Sequence, residues 1–544
     1  MADVLAESDC AVVMGLPSDE PGLLDAAARK GATAVKVFGD QRIAGCAAAG
    51  YAMVSRAPVV LALNSGPSFA NAMPALVEAA SLGVPLVVVT TRAPSATMGR
   101  GGFQHLEQQR MLGSLASWQY LVDCQENLAW AVARALRLAV AGRGGITMVE
   151  ISDEVTRLPF EGAARKRASG VPPARSVPDP DHLDAAARLL SEAERPLIII
   201  GGGARWSGGG RSVLKLAEQL GAPVFTTAAG RGSVSEHHEL NFGLVGLYST
   251  PPAEALLETA DVILVLGSRL EETARMRWEN RHAAIIQVDK SVYAFGEGPE
   301  PDLCLLGDLR LTAEALIGRL GPGREPARRL WQARQSQVRY EQSVYATAPF
   351  EVSPVRAAIR LTRELVRPRV IVQENGLHDI WGYHFPVLRI DDGTDIVCPG
   401  EQTMMGFGVA ASAGAAMARQ GPVVVFTGDA ALRLSVGALP VFGDHGLGVV
   451  TVMFDNGGYG WPRHLRKARK AEVSLTEARY WDNVEEICAA FGGWGITART
   501  EPALVEALRH AKDNAAAGRF SVVRVPVPDH DIPAGVLAMD EEQS

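Results

Sequence analysis

The feature that most constrains this chain of 544 residues is a series of twelve short apolar runs, each bounded by glycine, proline or a polar turn. They fall at 11–14, 59–63, 86–90 and 147–151, then at 197–200, 223–226, 262–266 and 284–288, and finally at 370–372, 423–426, 449–454 and 521–525. The runs are continuously apolar rather than alternating, which predicts strands buried on both faces, as in parallel sheets covered by helices. Alanine-rich stretches of helical length lie between them, for example 41–55, 125–141, 180–194 and 502–517. Alternation of strand and helix predicts an α/β fold. The runs group into three sets, each enough for a doubly wound parallel-sheet domain. A proline- and charge-rich connector at 165–180 and a break at 321–325, followed by a polar helix over 329–345, separate them. The expected domains are 1–165, 180–320 and 350–530.

Composition narrows the function. A net charge of −8 disfavours nucleic acid as a partner. No apolar run approaches the roughly 20 residues that span a bilayer. The first residues lack the basic and apolar regions of a signal peptide. The six cysteines include no C-x-x-C pair, so they are expected to be buried thiols in a reducing compartment. A cytoplasmic protein is expected, without nucleic-acid or membrane partners.

The strongest chemical signal is Thr427-Gly428-Asp429-Ala430, then 24 residues, then Asp455-Asn456-Gly457-Gly458-Tyr459-Gly460. Both pieces follow apolar runs, so both sit at the carboxyl ends of strands, where open α/β sheets hold ligands. Asp429 offers a carboxylate, Asn456 an amide oxygen and the glycines a backbone carbonyl. Such hard oxygen donors suit Mg²⁺ with a substrate phosphate. Helix N–H groups after Asp429 suit a diphosphate.

The pair resembles the thiamin diphosphate and Mg²⁺ motif of the acetohydroxyacid synthase/2-oxoacid decarboxylase family, a GDG followed about two dozen residues later by NN; here GDA and DN stand in their place. The resemblance implies that Asp429, Asn456 and the Gly458 carbonyl bind Mg²⁺. Gly428, Ala430, Ala431 and Tyr459 would then lie by the cofactor. It extends over most of the chain. Residues 403–408, with Gly414, resemble the family's G-T-M-G-(Y/F)-G stretch. There a residue in the place of Met405 wedges between the cofactor rings, and the Thr403 carbonyl accepts a hydrogen bond from the aminopyrimidine. Residues 373–381 resemble a segment near the diphosphate and make His378 a cofactor contact. Residues 64–72 resemble the loop that faces the reacting centre, with Gly66 and Asn71. Phe103 and Gln104 match a substrate-pocket pair of acetohydroxyacid synthases, with His105 beside them as a candidate acid or base. The three domains would then be pyrimidine-binding, central and diphosphate-binding. The central one, with Gly201–Ala204 and Leu266–Arg269, holds FAD in some family members; FAD is possible here but not supported. The family's cofactor lies between two chains, which implies a homodimer or homotetramer.

One departure bears on catalysis. In the family a glutamate stands nine residues before Gly-Tyr-Ala. Gly50-Tyr51-Ala52 is intact here, and nine positions earlier stands Gln41. A carboxyl group there shares a proton with the aminopyrimidine; an amide donates a hydrogen bond but cannot shuttle a proton. Three readings follow: slow chemistry or another proton route, substitution by neighbouring Asp40, or a chain that binds the cofactor without catalysis. The resemblance implies a C–C lyase or carboligase acting on a 2-oxoacid or related acyl donor, acetolactate synthase-like, with a 2-oxoacid decarboxylase or a catalytically silent subunit as alternatives. The basic run 463–470 and the acidic Asp19 and Glu20 read first as a solvated helix face and a helix N-cap.

Overall fold

A computed structural model describes residues 1–528 except 9, 11, 19–21, 159–173, 325–327, 347–348 and 479–480, together with 530–533 and 536. Asp19, Glu20 and most of the connector at 165–180 lie outside the described residues.

The first unit contains strands β1 (Val12–Gly15), β2 (Ala34–Val37), β3 (Val59–Leu63), β4 (Leu86–Arg92), β5 (Ala116–Val122) and β6 (Ile146–Ser152). The middle unit contains β7 (Pro196–Ile200), β8 (Val224–Thr226), β9 (Asn241–Leu244), β10 (Val262–Leu266), β11 (Ala284–Asp289) and β12 (Leu303–Leu306). The third contains β13 (Val370–Gln373), β14 (Asp395–Val397), β15 (Val423–Gly428), β16 (Val449–Asp455), β17 (Trp494–Thr497) and β18 (Ser521–Pro526). Each set forms one six-stranded sheet, in the orders β2-β1-β3-β4-β6-β5, β12-β11-β10-β7-β8-β9 and β14-β13-β15-β16-β18-β17. Every pairing is parallel. The expected architecture, three doubly wound α/β units, is the one observed.

The outer sheets share one strand order, a kinship the sequence alone does not show. Their order reverses between β1 and β3 and between β13 and β15. The middle sheet reverses between β7 and β10. Crevices at such points, outside the carboxyl ends of the strands, are where these sheets hold ligands.

The first and third units share one apolar core. Its centre is the contact between the helices Gln41–Ser55 and Phe407–Ala418. Both are rich in alanine and glycine, so their backbones approach closely. A Cβ on Gly50 would stand 2.0 Å from the Ala411 carbonyl oxygen, and one on Gly414 would stand 1.7 Å from that of Ala47. Only glycine fits at either crossing point.

The polar helix expected at 329–345 runs Arg328–Ala346. Among the described residues no helix is long and apolar enough to cross a membrane. All six cysteines are free thiols; Cys124 and Cys304 are only half-buried, unlike the other four.

Candidate cofactor and metal site

β15 runs into Gly428, and the chain turns at once into the helix Asp429–Leu434. Asp429 is buried. Burial, reinforced by the nearby Asp455 carboxylate, pushes its carboxyl up to about 7, although the N–H groups of Ala430 and Gly458 oppose the shift. The ends of β15 and β16 therefore meet at this carboxyl. Its Oδ2 has no hydrogen-bond partner, and neither has the buried Oδ1 of Asn456. Among the described residues the Gly458 carbonyl accepts no hydrogen bond either. Buried oxygens without partners are costly and rare. Three such oxygens on two adjoining strand ends suit a hard divalent cation. Among the described residues no three His, Cys, Asp or Glu are grouped so as to hold a metal ion, so this donor set rests on one carboxylate, one amide and one carbonyl.

The β16 turn is built for this. Gly457 and Gly458 have φ of +74° and +136°, backbone that glycine alone adopts freely. A Cβ on Gly458 would stand 2.2 Å from the Thr476 carbonyl oxygen. Asp455 is engaged elsewhere: its Oδ1 accepts the Gly457 N–H at 2.9 Å and its Oδ2 accepts Arg524 Nε at 2.6 Å. Trp481 Nε1 donates to the Asp429 carbonyl at 2.9 Å. Ala430 and Ala431 are buried, and Tyr459 stays exposed.

Across the β13/β15 crevice, His378 stands on the helix Leu377–Tyr383. Burial pushes its imidazole down to about 4, so the ring is neutral. The ring lies 5.4 Å from that of Phe454, and its Nε2 has no partner. A Cβ on Gly428 would stand 3.6 Å from its Cε1, which places the ring beside the Asp429 turn. Its neighbour Glu374 carries a role the sequence did not suggest. That buried carboxylate accepts the N–H groups of Asn375, Gly406 and Val409 at 2.9, 3.1 and 3.2 Å, tying β13 to the start of the helix that follows Met405. Burial outweighs these bonds and pushes its carboxyl up to about 7.

Thr403 has φ +46°, in the left-handed region that non-glycine residues seldom occupy. Met404 packs against the apolar core, whereas Met405 is half-buried and outside it.

In the first unit, Gln41 opens the helix Gln41–Ser55. Its Oε1 accepts Asn71 Nδ2 at 2.8 Å, and the same nitrogen lies 3.3 Å from Asp40 Oδ2. Asp40 caps the helix, its Oδ1 accepting the Ile43 N–H at 2.9 Å, so its carboxylate is committed there. Arg42 donates to the Leu434 carbonyl, at the end of the Asp429 helix. The Gly66 loop touches Gln104: a Cβ on Gly66 would stand 2.6 Å from the Gln104 carbonyl oxygen. Gln104 itself has φ +53°. Phe103 is 83% exposed, and His105 Nε2 lies 3.4 Å from Glu107. Gln108, absent from the expectations, pins this corner. Its Oε1 accepts the Gly66 N–H at 3.0 Å and its Nε2 donates to buried Glu150 at 2.8 Å.

At the middle unit's β7/β10 switch point, Gly202, Gly203, Ser268 and Asp289 line a cavity of about 110 Å³, with Arg143 of the first unit and Gly400 of the third. Ligand pockets commonly measure ~300–1,000 Å³.

The basic run divides. Arg466 donates to the Glu472 carbonyl, and Arg469 and Lys470 are exposed. Arg463 is buried, a correction to its reading as part of a solvated face.

Comparison with known proteins agrees with this geometry. Models of the thiamine pyrophosphate enzyme match in three parts: the N-terminal TPP binding domain over residues 1–111, the central domain over 183–316 and the C-terminal TPP binding domain over 374–525. The chain is 27% identical over 474 residues to the probable acetolactate synthase 2, chloroplastic, of Oryza sativa subsp. japonica, covering 83% of this chain and 71% of the relative. It is 25% identical over 484 residues to the acetolactate synthase of Mycobacterium bovis, covering 86% and 78%. It is also 25% identical over 460 residues to the probable acetolactate synthase large subunit of Methanocaldococcus jannaschii, covering 80% and 77%. Three parallel six-stranded sheets, the outer two matched as cofactor-binding domains, define a thiamin diphosphate-dependent enzyme of the lyase/transferase kind. The chain belongs to the thiamine pyrophosphate enzyme family and is acetolactate synthase-like.

Proposed function

We propose that this protein is a Mg²⁺- and thiamin diphosphate-dependent C–C lyase or carboligase acting on a 2-oxoacid, as the names of its acetolactate synthase relatives suggest. The observation that carries the reading is the set of partnerless oxygens, Asp429 Oδ2, Asn456 Oδ1 and the Gly458 carbonyl, at two adjoining strand ends. In this reading they hold the cation, and Ala430 and Ala431 lie against the diphosphate with His378 beside them. When bound, thiamin diphosphate supplies a carbon nucleophile that adds to a carbonyl and holds the charge left by C–C cleavage. Met405, half-buried and outside the core, would lie against the cofactor's rings, and the Thr403 carbonyl would serve as an acceptor for the aminopyrimidine. Phe103 and Gln104 line the substrate side and favour carboligation over simple decarboxylation. The exposure of Phe103 supports a site completed by a second copy of the chain, hence a homodimer or larger homo-oligomer.

Gln41 is the atypical element. Asn71 occupies its Oε1, which leaves the Nε2 amide as its remaining polar end. That end donates a hydrogen bond and holds no exchangeable carboxyl proton. Slow proton transfer with intact cofactor binding is the consequence. The test is calorimetry of thiamin diphosphate uptake with and without Mg²⁺, in wild type and Asp429→Ala, followed by turnover of pyruvate and other 2-oxoacids. Magnesium-independent uptake, or full uptake by the variant, overturns the reading.

A further inference from the structure

The helix Gly460–Ala468 directly follows the Asn456–Gly458 turn and carries one buried residue, Arg463. Its guanidinium turns back on the turn that precedes it. Nη1 donates to the Asn456 carbonyl at 2.7 Å, and Nη2 donates to the Gly457 carbonyl at 2.7 Å and the Thr476 carbonyl at 3.3 Å. Nε lies 3.5 Å from Thr476 Oγ1. We infer that Arg463 is a positioning residue for the cation: by claiming the carbonyls of Asn456 and Gly457 it orients the turn so that the Gly458 carbonyl and the Asn456 side chain are left to serve as ligands. The inference rests on the metal reading above and adds to it a residue outside the donor set.

The physical need is clear. Two successive glycines with positive φ make a turn with many alternative conformations, and ordering them costs backbone entropy. A turn that is ordered only when the cation arrives binds it more weakly for that reason. A planar guanidinium with five N–H donors reaches two adjacent carbonyls and the facing segment at once, which a lysine ammonium, a point donor, does not reproduce. The facing segment completes the clamp. Ala478 N–H donates to the Gly457 carbonyl at 2.7 Å, and Tyr459 N–H donates to the Thr476 carbonyl at 2.9 Å. The Gly457 oxygen thus takes two donors, and the Asn456 carbonyl takes one charged donor. Both lone pairs of the Gly457 oxygen are thereby engaged, and the Asn456 carbonyl is held toward the guanidinium. The ligand set is fixed by what Arg463 removes from it.

The test uses the full chain, with Mg²⁺ titrated by calorimetry at saturating thiamin diphosphate, alongside the melting temperature of the cofactor-free protein. Arg463→Met is expected to weaken Mg²⁺ on the order of tenfold, the scale of one lost charge-assisted hydrogen bond. Arg463→Lys should recover part of that affinity. Asp429→Asn is run in parallel. Magnesium affinity within about twofold of wild type in both Arg463 variants overturns the inference, whatever their melting temperatures, provided Asp429→Asn does weaken it. If Asp429→Asn also leaves the affinity unchanged, the metal reading itself falls. Should Arg463→Met fail to fold, Arg463→Lys carries the comparison alone: weakened Mg²⁺ at an unchanged melting temperature supports the role, and unchanged Mg²⁺ overturns it.

Discussion

Glu78, wholly buried on a helix of the first unit, accepts the backbone N–H of Met404 in the third unit at 2.8 Å. The same carboxylate accepts the Gly400 N–H. A segment that leads into Thr403 and Met405 is therefore held by the opposite domain, and the strained backbone of Thr403 sits between two anchored residues. Burial pushes the Glu78 carboxyl up from its ordinary range, which these two N–H groups resist. Glu78→Ala leaves two part-buried backbone donors without their carboxylate and is expected to destabilise the protein by ~1–3 kcal/mol. Urea unfolding measures that loss. Calorimetry should show weaker thiamin diphosphate uptake in the folded variant, and unchanged uptake would mean that the 400–406 segment does not position the cofactor.

Gly50 and Gly414 make the second link between these units. A methyl group at either must push a backbone carbonyl from a distance of about 2 Å. Gly414→Ala is expected to cost roughly 3 kcal/mol or more, at the upper end for overpacking. Gly31→Ala is a poor control, because its φ of +68° strains any side chain. Gly39→Ala serves better, since no atom lies within 4 Å of its Cβ position. Comparable melting temperatures for Gly39→Ala and Gly414→Ala would refute the close-packed crossing.

Each sheet has six strands, and the twelve apolar runs correspond to the inner four of each. The strands that the runs omit are β2, β5, β9, β12, β14 and β17, all at sheet edges. Inner strands are buried on both faces and read as unbroken apolar sequence. Edge strands such as Ala34–Val37, with its lysine, and Asn241–Leu244, with its asparagine and glycine, carry mixed sequence or are very short. The site divides in the same way. Asp429, Asn456 and Gly458 are legible because their oxygens come in a local motif at strand ends. Glu78, Gln108 and Glu374 act through partners brought close by the fold, as Glu78 does with Met404 and Gln108 with Gly66. Arg463 had a local signal, its place three residues into the helix after the glycine turn, but the surrounding run of cations disguised it.

Two histidines bear on the acid response. Burial holds His378 and His384 down to about 4, and Arg356 and Arg277 add to the effect at His384. Unfolded histidine titrates near 6.5, so between about pH 6.5 and 4 the unfolded chain binds protons that the folded chain does not. Each histidine therefore removes stability as pH falls through that window, up to ~3 kcal/mol. Glu374 and Asp429, both pushed up to about 7, act in the opposite sense, so the response is read as a difference. His384→Gln keeps an acceptor for the Tyr340 hydroxyl. It is expected to lose less stability than wild type between about pH 7.5 and 4.5, and parallel losses in urea titrations would show that His384 is not held neutral.

The sharpest expectation concerns Gln41→Glu. The pocket is ready for a carboxylate: Asn71 Nδ2 already donates to the Oε1 that a glutamate would keep. The opposing influence is Asp40, whose Oδ2 lies 3.3 Å from the same nitrogen. A second carboxylate there raises the proton affinity of the pair, which suits a group that must exchange a proton near neutrality. General acid–base help is worth roughly 10²–10⁴-fold, and turnover of pyruvate by the variant is expected to rise within that range. Its affinity for thiamin diphosphate should change little, because Asp429, Asn456 and Gly458 are untouched. Following CO₂ release and coupled products in both proteins separates the outcomes. Fast wild-type turnover that the variant does not exceed would mean that this chain moves the proton by a route that bypasses residue 41.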